Sequence, residues 1–342
     1  MPSFRTALVT RVRSERTGLQ RVEVDGQPAF VLTELIGPVA VGDRVVVNTT
    51  AVELGLGTGG WHVVHWNLSR ETWSRPGPGT VMKLRYSSLQ TDVGASEEAS
   101  GYQAPDGLGG TPVVACALHS QVACVAAVLA QLSPATRAVY VMTDAAALPL
   151  AVSDLVADLR AADLLVATVT CGQAFGGDHE AVTLHSALEV AVAAAGAQIV
   201  IVGPGPGGVG SSSRLGFGGL EVAGVIDAAS RLGGRPVVAV RFSHADIRPR
   251  HRGISEHTVA ALWAAERSAA VAVPAGAAWP ASGERHTVVE VDVPDMGDLL
   301  DRVGIEVTTM GRSPADDPGF FRYAGAAGAA AAAMLATDGG GR

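Results

Sequence analysis

Leu164-Leu165-Val166-Ala167-Thr168-Val169-Thr170 runs straight into Cys171-Gly172-Gln173-Ala174-Phe175-Gly176-Gly177-Asp178, and this junction of apolar run and polar glycine turn decides the fold. An uninterrupted apolar run of strand length reads as a strand buried on both faces, as in a parallel sheet. The pattern recurs twice downstream. Ala197 to Val202 ends in Gly203-Pro204-Gly205-Pro206-Gly207-Gly208-Val209-Gly210, followed by three serines and Arg214. Pro236 to Phe242 ends in Ser243-His244-Ala245-Asp246 and a segment rich in arginine and histidine, Arg248 to His257.

Working outward, Val113 to Leu118 and Arg137 to Met142 are further strand-length runs. Between them Val122, Val125, Ala126, Leu129 and Leu132 recur at helical spacing, as do Val152, Leu155, Val156 and Leu159 farther on. Ser255 is placed to cap a helix carrying Val259, Leu262 and Trp263, and Val288 to Val291 and Ile305 to Thr309 are expected to add strands. Strands alternating with amphipathic helices predict an α/β fold: a mostly parallel, doubly wound, Rossmann-like sheet with right-handed crossovers. Residues 4 to 67 differ, with short alternating strands, an Asp25-Gly26 hairpin signal and no helical period, and they predict a small all-β barrel, SH3-like or OB-like. The expected organisation is a barrel-like domain over 1–72, a linker and polar loop over 73–112 containing Pro76-Gly77-Pro78-Gly79, an α/β domain over 113–337 and a disordered tail over 338–342.

Bulk properties narrow the function. The 342 residues are 48% hydrophobic and 17% charged, which suits a well-buried globular core. A net charge of −8 argues against nucleic acid as the partner, because phosphate neutralisation needs clustered cations. Lys83 is the single lysine beside 24 arginines, a bias that reads as genome composition before chemistry. Cys116, Cys124 and Cys171 make neither a disulfide framework nor a paired zinc motif. Met1 to Arg13 lacks the apolar run of a secretory signal, and the Ala-rich stretch Ala324 to Ala336 is too short for a bilayer span, so a cytoplasmic protein without membrane contact is expected.

In an open parallel sheet, ligands bind beyond the carboxyl ends of the strands. Five polar clusters fall there: His119-Ser120-Gln121, Thr143-Asp144, Cys171 to Asp178, Gly203 to Arg214, and Ser243 to His257. Gly203, Gly205 and Gly208 satisfy GxGxxG, but Pro204 and Pro206 remove two backbone donors and no ribose-binding acid follows Arg241-Phe242-Ser243. The loop instead reads as a non-nucleotide anion site in which Gly205, Gly208, Gly210, Ser211, Ser212 and Ser213 bind, joined by His119 and neutralised by Arg248 or Arg252; the competing reading is a glycine connection shaped by packing alone. Cys171 at a strand end reads either as a nucleophile with His119, His251 or His257 as base, or as a buried core thiol. Asp144, Asp178, Asp246 and His251 are candidates for acid/base chemistry. His244 and Asp246 are weak metal-ligand candidates, and Asp144 with Asp178 could complete an oxygen-rich Mg²⁺ site, so a divalent metal is the one cofactor these residues suggest. Asp178-His179-Glu180 is expected to cap the helix carrying Leu184, Leu188 and Val192.

Four blocks carry a family likeness: Val81-Met82-Lys83-Leu84-Arg85-Tyr86, Met142-Thr143-Asp144-Ala145-Ala146-Ala147-Leu148-Pro149, Ala174-Phe175-Gly176-Gly177-Asp178 and Arg250-His251-Arg252-Gly253-Ile254-Ser255. Through them the chain resembles, over nearly its whole length, the DUF3866 family of uncharacterised bacterial proteins. The resemblance implies a shared site and supplies no activity. Gln173 and Glu256 stand where the family often has histidine, which weakens any mechanism needing an imidazole there.

Together these readings predict an α/β enzyme acting on a small anionic metabolite, phosphate- or carboxylate-bearing, by hydrolysis or group transfer. The alternative is a non-catalytic ligand sensor or scaffold whose β domain docks a partner. A homodimer is the base-rate expectation.

Overall fold

The computed structural model describes residues 1–57, 59–77, 79–279 and 285–339. Thr58 in the glycine-rich stretch Gly55 to Gly60, Pro78 of the expected linker and residues 340–342 of the expected tail lie outside them. The chain divides into two compact units, Met1–Gly94 and Ala95–Arg342.

In the first unit, strict alternation of small apolar residues with polar ones builds a closed barrel from β1 (Phe4–Arg16), β2 (Leu19–Val24), β3 (Gln27–Leu32), β4 (Arg44–Asn48) and β5 (His62–Asn67), in the order β1-β2-β3-β5-β4. Val9, Val22, Val24, Val31, Val45 and Val47 fill it completely buried. Asp25 (φ 47°) and Gly26 (φ 79°) make the primed turn that the Asp-Gly pair predicts, because only such residues tolerate left-handed φ cheaply. Pairing of β3 with β5 is parallel, which a simple meander cannot produce, so the barrel is OB-like. Two single-turn helices, α1 (Thr33–Ile36) and α2 (Thr50–Glu53), lie in its connections. The aromatics that follow Gly55 to Gly60 are packing groups: Trp61 stacks on Phe30 at 4.9 Å and His65 meets Phe4 edge-on at 5.4 Å. Val81 to Tyr86 contributes β6 (Val81–Lys83), which pairs with β7 (Thr91–Val93) in a separate ribbon.

The second unit is the α/β domain. Its strands are β8 (Pro112–Cys116), β9 (Ala138–Thr143), β10 (Ala167–Thr170), β11 (His179–Glu180), β12 (Ile199–Pro204), β13 (Arg235–Ala239), β16 (Ala270–Pro274) and β17 (Thr287–Val291), with a small hairpin of β14 (Phe242–Ser243) and β15 (Gly253–Ile254) inserted after β13. The eight strands lie in the order β11-β10-β9-β12-β8-β13-β16-β17. Every pairing in that sheet is parallel. Alternate side chains serve the two faces. Val114, Tyr140, Met142, Ile199 and Ile201 pack under α3 (His119–Leu132), α4 (Asp154–Ala161), α8 (Met296–Arg302) and α9 (Pro318–Gly339). Val113, Val139, Val141, Val200 and Val202 pack under α5 (Leu184–Ala193), α6 (Val222–Arg231) and α7 (Glu256–Ala264).

The alanine-rich stretch becomes the central buried helix of one face. A Cβ at Gly328 would stand 2.8 Å from the Val125 carbonyl, so glycine lets α9 lie directly against α3. No described helix is long and apolar enough to cross a membrane. Two expectations fail. Ile305 to Thr309 does not extend the sheet; it leads into a tight turn closed by a Thr309–Arg312 bridge. The helix after Asp178 begins only at Leu184, capped by Thr183, because His179 and Glu180 instead pair with β10 as an edge strand.

Candidate functional site

The site follows from one feature of the topology. β8 and β12 are hydrogen-bonded neighbours, but β8 leads into α3 on one face and β12 leads into α6 on the other. Their exit loops diverge and leave a crevice at the carboxyl edge, where a doubly wound sheet offers a ligand the most backbone donors. Two cavities open there. One, of about 210 Å³, is lined by Arg241, Arg248, Arg250, His251 and His257 together with loop residues Gly208 to Gly210 and Phe217 to Gly219. The other, of about 320 Å³, is lined by Leu118, His119, Leu155, Pro204 to Gly208 and the turn Glu306 to Met310.

The arginines of the smaller cavity are set by the hairpin. Pairing of Phe242 with Ile254 and Ser243 with Gly253 folds residues 244 to 252 into a tip that stands beyond the end of β13. At its centre lies Asp246, 1% exposed. Arg248 binds it in bidentate fashion, Nε to Oδ1 at 2.9 Å and Nη2 to Oδ2 at 2.8 Å. Arg241 at 3.5 Å and Arg312 at 3.6 Å share Oδ2. Arg248, through its side-chain and backbone hydrogen bonds and its charge, holds the Asp246 carboxyl far below the usual carboxylate range against the opposing effect of burial. Arg312 is also paired with buried Asp317 at 3.1 Å, and Asp317 accepts a 2.6 Å hydrogen bond from Ser243. Arg241, 6% exposed, has its pKa drawn down to about 10 by burial and by Arg248, yet remains a cation at neutral pH. Three guanidinium groups, those of Arg241, Arg248 and Arg312, thus gather around two buried carboxylates, and Arg250 adds a fourth cation in the cavity wall. The surplus is positive and faces the cavity.

Two histidines complete it. Arg250 Nε donates to His251 Nε2 at 3.2 Å, so the His251 proton sits on Nδ1, which donates to Ser255 Oγ at 2.7 Å. Ser255 Oγ in turn accepts from the His257 amide at 3.2 Å and caps α7. Burial first, and Arg241 second, lower His251 to about 3 and His257 to about 4, so both imidazoles are neutral. His257 stacks flat on Phe217 at 3.7 Å and meets His251 edge-on at 4.5 Å. Its buried Nε2 has no hydrogen-bond partner among the described residues. A buried imidazole nitrogen without a partner is costly unless something else supplies one.

The glycine loop has a different role from the one its sequence suggests. The Gly210–Phe217 bridge closes residues 211 to 216 into a hairpin-like flap. Ser211 and Ser213 bond to each other at 2.9 Å and to Gly216, so these hydroxyls stabilise the flap. Ser212 is exposed on it. Arg214 lies 4.1 Å from the centre of the Trp263 ring. Gly205 is required by packing, since a Cβ there would stand 2.6 Å from the Ala147 carbonyl. Gly208 and Gly210 remain at the cavity wall.

Several expected residues do not join the cluster. Asp178 is turned back along the edge of the sheet, where its Oδ2 accepts from Thr168 N at 2.8 Å and pairs with Arg160 at 3.3 Å, away from the carboxyl rim. The expectation that it converges with Asp144 and His251 is corrected accordingly. Asp144 is exposed and receives the Gln173 amide at 2.8 Å. Cys171 is buried in the core between the sheet and α5, its Sγ directed at the Met142 carbonyl at 3.8 Å. His119 lines the larger cavity, but Nδ1 donates to the Pro204 carbonyl at 3.0 Å and Nε2 accepts from Ser153 at 2.7 Å. Burial lowers it to about 4 and keeps it neutral. Arg252 braces the Asp246 carbonyl at 3.1 Å, and His244 packs edge-on to Phe242 at 4.6 Å. Among the described residues, no group of three or more His, Cys, Asp or Glu side chains that could hold a metal ion occurs.

Sequence reading overlooked Arg241, Arg312 and Asp317, and also Glu221. The last ends the turn leading into α6. Burial and the Asp144 charge raise it to about 7, against the Thr143 hydroxyl.

The family described as Protein of unknown function (DUF3866) matches residues 28–328, a span that includes parts of both units and the whole carboxyl rim. No curated protein and no solved structure matches.

Proposed function

The chain belongs to the DUF3866 family, and from its cavity chemistry we propose that it is an enzyme acting on a small anionic metabolite, phosphate- or carboxylate-bearing, by hydrolysis or group transfer. One observation carries this reading: a surplus of guanidinium charge, from buried Arg241 and half-buried Arg248 and Arg250, faces the same 210 Å³ space as a neutral imidazole whose Nε2 lacks a partner among the described residues. Burying cations without full compensation is expensive, and an anion is what repays that cost.

Arg241, Arg248 and Arg250 would bind the anion, with Asp246 holding Arg248 and Arg241 in place. An anion entering beside His257 opposes the desolvation that keeps the ring neutral, so binding would raise its proton affinity. His257 would thereby become a general acid that is charged only when substrate is present. His251, held between Arg250 and Ser255, would position Arg250. In this reading the flap from Gly208 to Phe217 closes the site against water, with Phe217 fixing the His257 ring. The alternative, a non-catalytic sensor, shares the anion site and lacks the proton transfer.

The test is a screen of phosphorylated and carboxylated metabolites by thermal shift and product release, with wild type, Arg250→Met and His257→Gln. The enzyme reading expects Arg250→Met to abolish binding, and His257→Gln to bind while losing turnover by about 10²-fold or more. Binding without turnover in wild type would favour the sensor; no binding of any anion would end both readings.

A further inference from the structure

The larger cavity has a composition that contrasts with its neighbour. Ala117, Leu118, Pro204, Gly208 and Met310 line both spaces, so the two share one wall at the mouth of the β8–β12 crevice. Arg241, Arg248 and Arg250 line the smaller cavity alone. Glu306, exposed at the rim, is the single charged side chain among the described residues lining the larger one, and its other walls come from Leu155, prolines, glycines, Val307 and two threonines. His119, its only imidazole, has both ring nitrogens occupied within the protein. An anion placed there meets no cation and one carboxylate; an uncharged group meets apolar walls and threonine hydroxyls.

The turn that roofs the crevice ties the halves together. Met310, at φ 50°, sits inside the Thr309–Arg312 bridge and lines both cavities, while Arg312 of the same turn reaches Asp246 and Asp317. The roof of the larger space is therefore anchored on the charge cluster of the smaller one.

We infer that the site is bipartite and takes a ligand made of an anionic head joined to an uncharged, ring-sized body, the head against the arginines and the body in the 320 Å³ cavity. The inference rests on the anion reading above and adds the substrate class: esters or acids of a neutral body rather than small inorganic or dicarboxylic anions. A dianion charged at both ends would place its second charge against the uncharged wall beside Glu306.

Isothermal titration of the full chain tests it with matched pairs: inorganic phosphate against phenyl phosphate, and acetate against phenylacetate. Burying a phenyl ring should strengthen binding about tenfold or more over the bare head for at least one head group. Thr308→Trp, at an exposed position that lines the larger cavity alone, should fill the body space and bring that ratio to about one while the affinity for the bare head stays at the wild-type value. Ser120→Leu, from the opposite wall, serves as the second variant and should act the same way. Bare heads that bind with no gain from the ring, or a gain that survives both substitutions, would overturn the bipartite site and leave the anion site standing. Failure of every head and every ester to bind would overturn the anion reading itself, and this inference with it.

Discussion

Asp246→Asn is the sharpest perturbation of the charge cluster, because it removes one negative charge while preserving shape. The carboxylate is 1% exposed and Arg241 beside it has a side chain 7% exposed, so solvent cannot replace the lost partner. Removing one member of a buried pair costs about 3–5 kcal/mol, since the other charge is left uncompensated. At about 2–4 °C per kcal/mol for a unit of this size, the melting temperature should fall by roughly 6–20 °C. Asp246→Asn with Arg241→Met should recover part of the loss, because the stranded cation is removed too. The pH dependence has a definite sign. Arginine contacts depress the folded-state pKa of Asp246, so its contribution is complete above the unfolded carboxylate value near about 4 and is lost as pH falls through the folded value. Urea unfolding followed by circular dichroism from neutral to acid pH measures both effects. A single variant within about 1 kcal/mol of wild type, or a double variant whose losses simply add, would refute the reasoning.

Three lowered histidines of the second unit make a second pH signature. His119 and His257, lowered to about 4, and His251, lowered to about 3, are neutral when folded but bind protons when unfolded below about pH 6.5. Stability should fall as pH drops from there toward 4, by about 1.4 kcal/mol per pH unit for each proton, and His257→Gln should flatten the slope by one proton. Phosphate binding near pH 6 should take up a proton through His257; calorimetry in buffers of different ionisation heat reads the uptake, and its persistence in His257→Gln would contradict the assignment. Gly205→Ala forces a Cβ to within 2.6 Å of the Ala147 carbonyl and should cost about 1–3 kcal/mol, whereas Gly208→Ala meets only Leu118 at 3.9 Å and should be nearly neutral; equal thermal shifts would show that the loop does not pack as described.

Much of the fold is legible in the chain because burial writes itself into the sequence with a period. Val113 to Leu118, Leu164 to Thr170 and Ile199 to Val202 are apolar but for Thr168 and Thr170 since both faces of their strands are covered, and the parallel sheet follows from that. The hairpin of the barrel is equally explicit in Asp25-Gly26. What lacks a period is hard to read. His179 and Glu180 form a two-residue edge strand, too short for any alternation to show, and so Asp178 is taken for a helix cap when it serves the edge of the sheet. Ser211 to Ser213 look like anion donors because sequence cannot reveal that two of their hydroxyls bond within the flap.

The site divides in the same way. His251, His257 and Arg248 are recognisable from local density of chemistry-bearing residues around one strand end. Arg241 is hidden because it continues an apolar strand run, and Arg312 and Asp317 because they reach Asp246 and Ser243, respectively, from more than sixty positions away along the chain. Pro204 and Pro206 remove two backbone donors from the loop, and the late helix start expected after it is found, with α6 beginning only at Val222 beyond the flap. Glu221 has no sequence signal at all: a glutamate before a helix is ordinary, and burial beside Asp144 is what raises it.

The account depends on an anion entering the arginine pocket beside His257, and nitrogen-15 NMR of histidine-labelled protein during a phosphate titration tests this most directly. With the resonance assigned through His257→Gln, the expected result is a saturable shift of the His257 ring nitrogens toward the protonated form, absent in Arg250→Met and unmatched by chloride at equal ionic strength. Ring signals that stay unmoved by phosphate, or move equally with chloride, would contradict it.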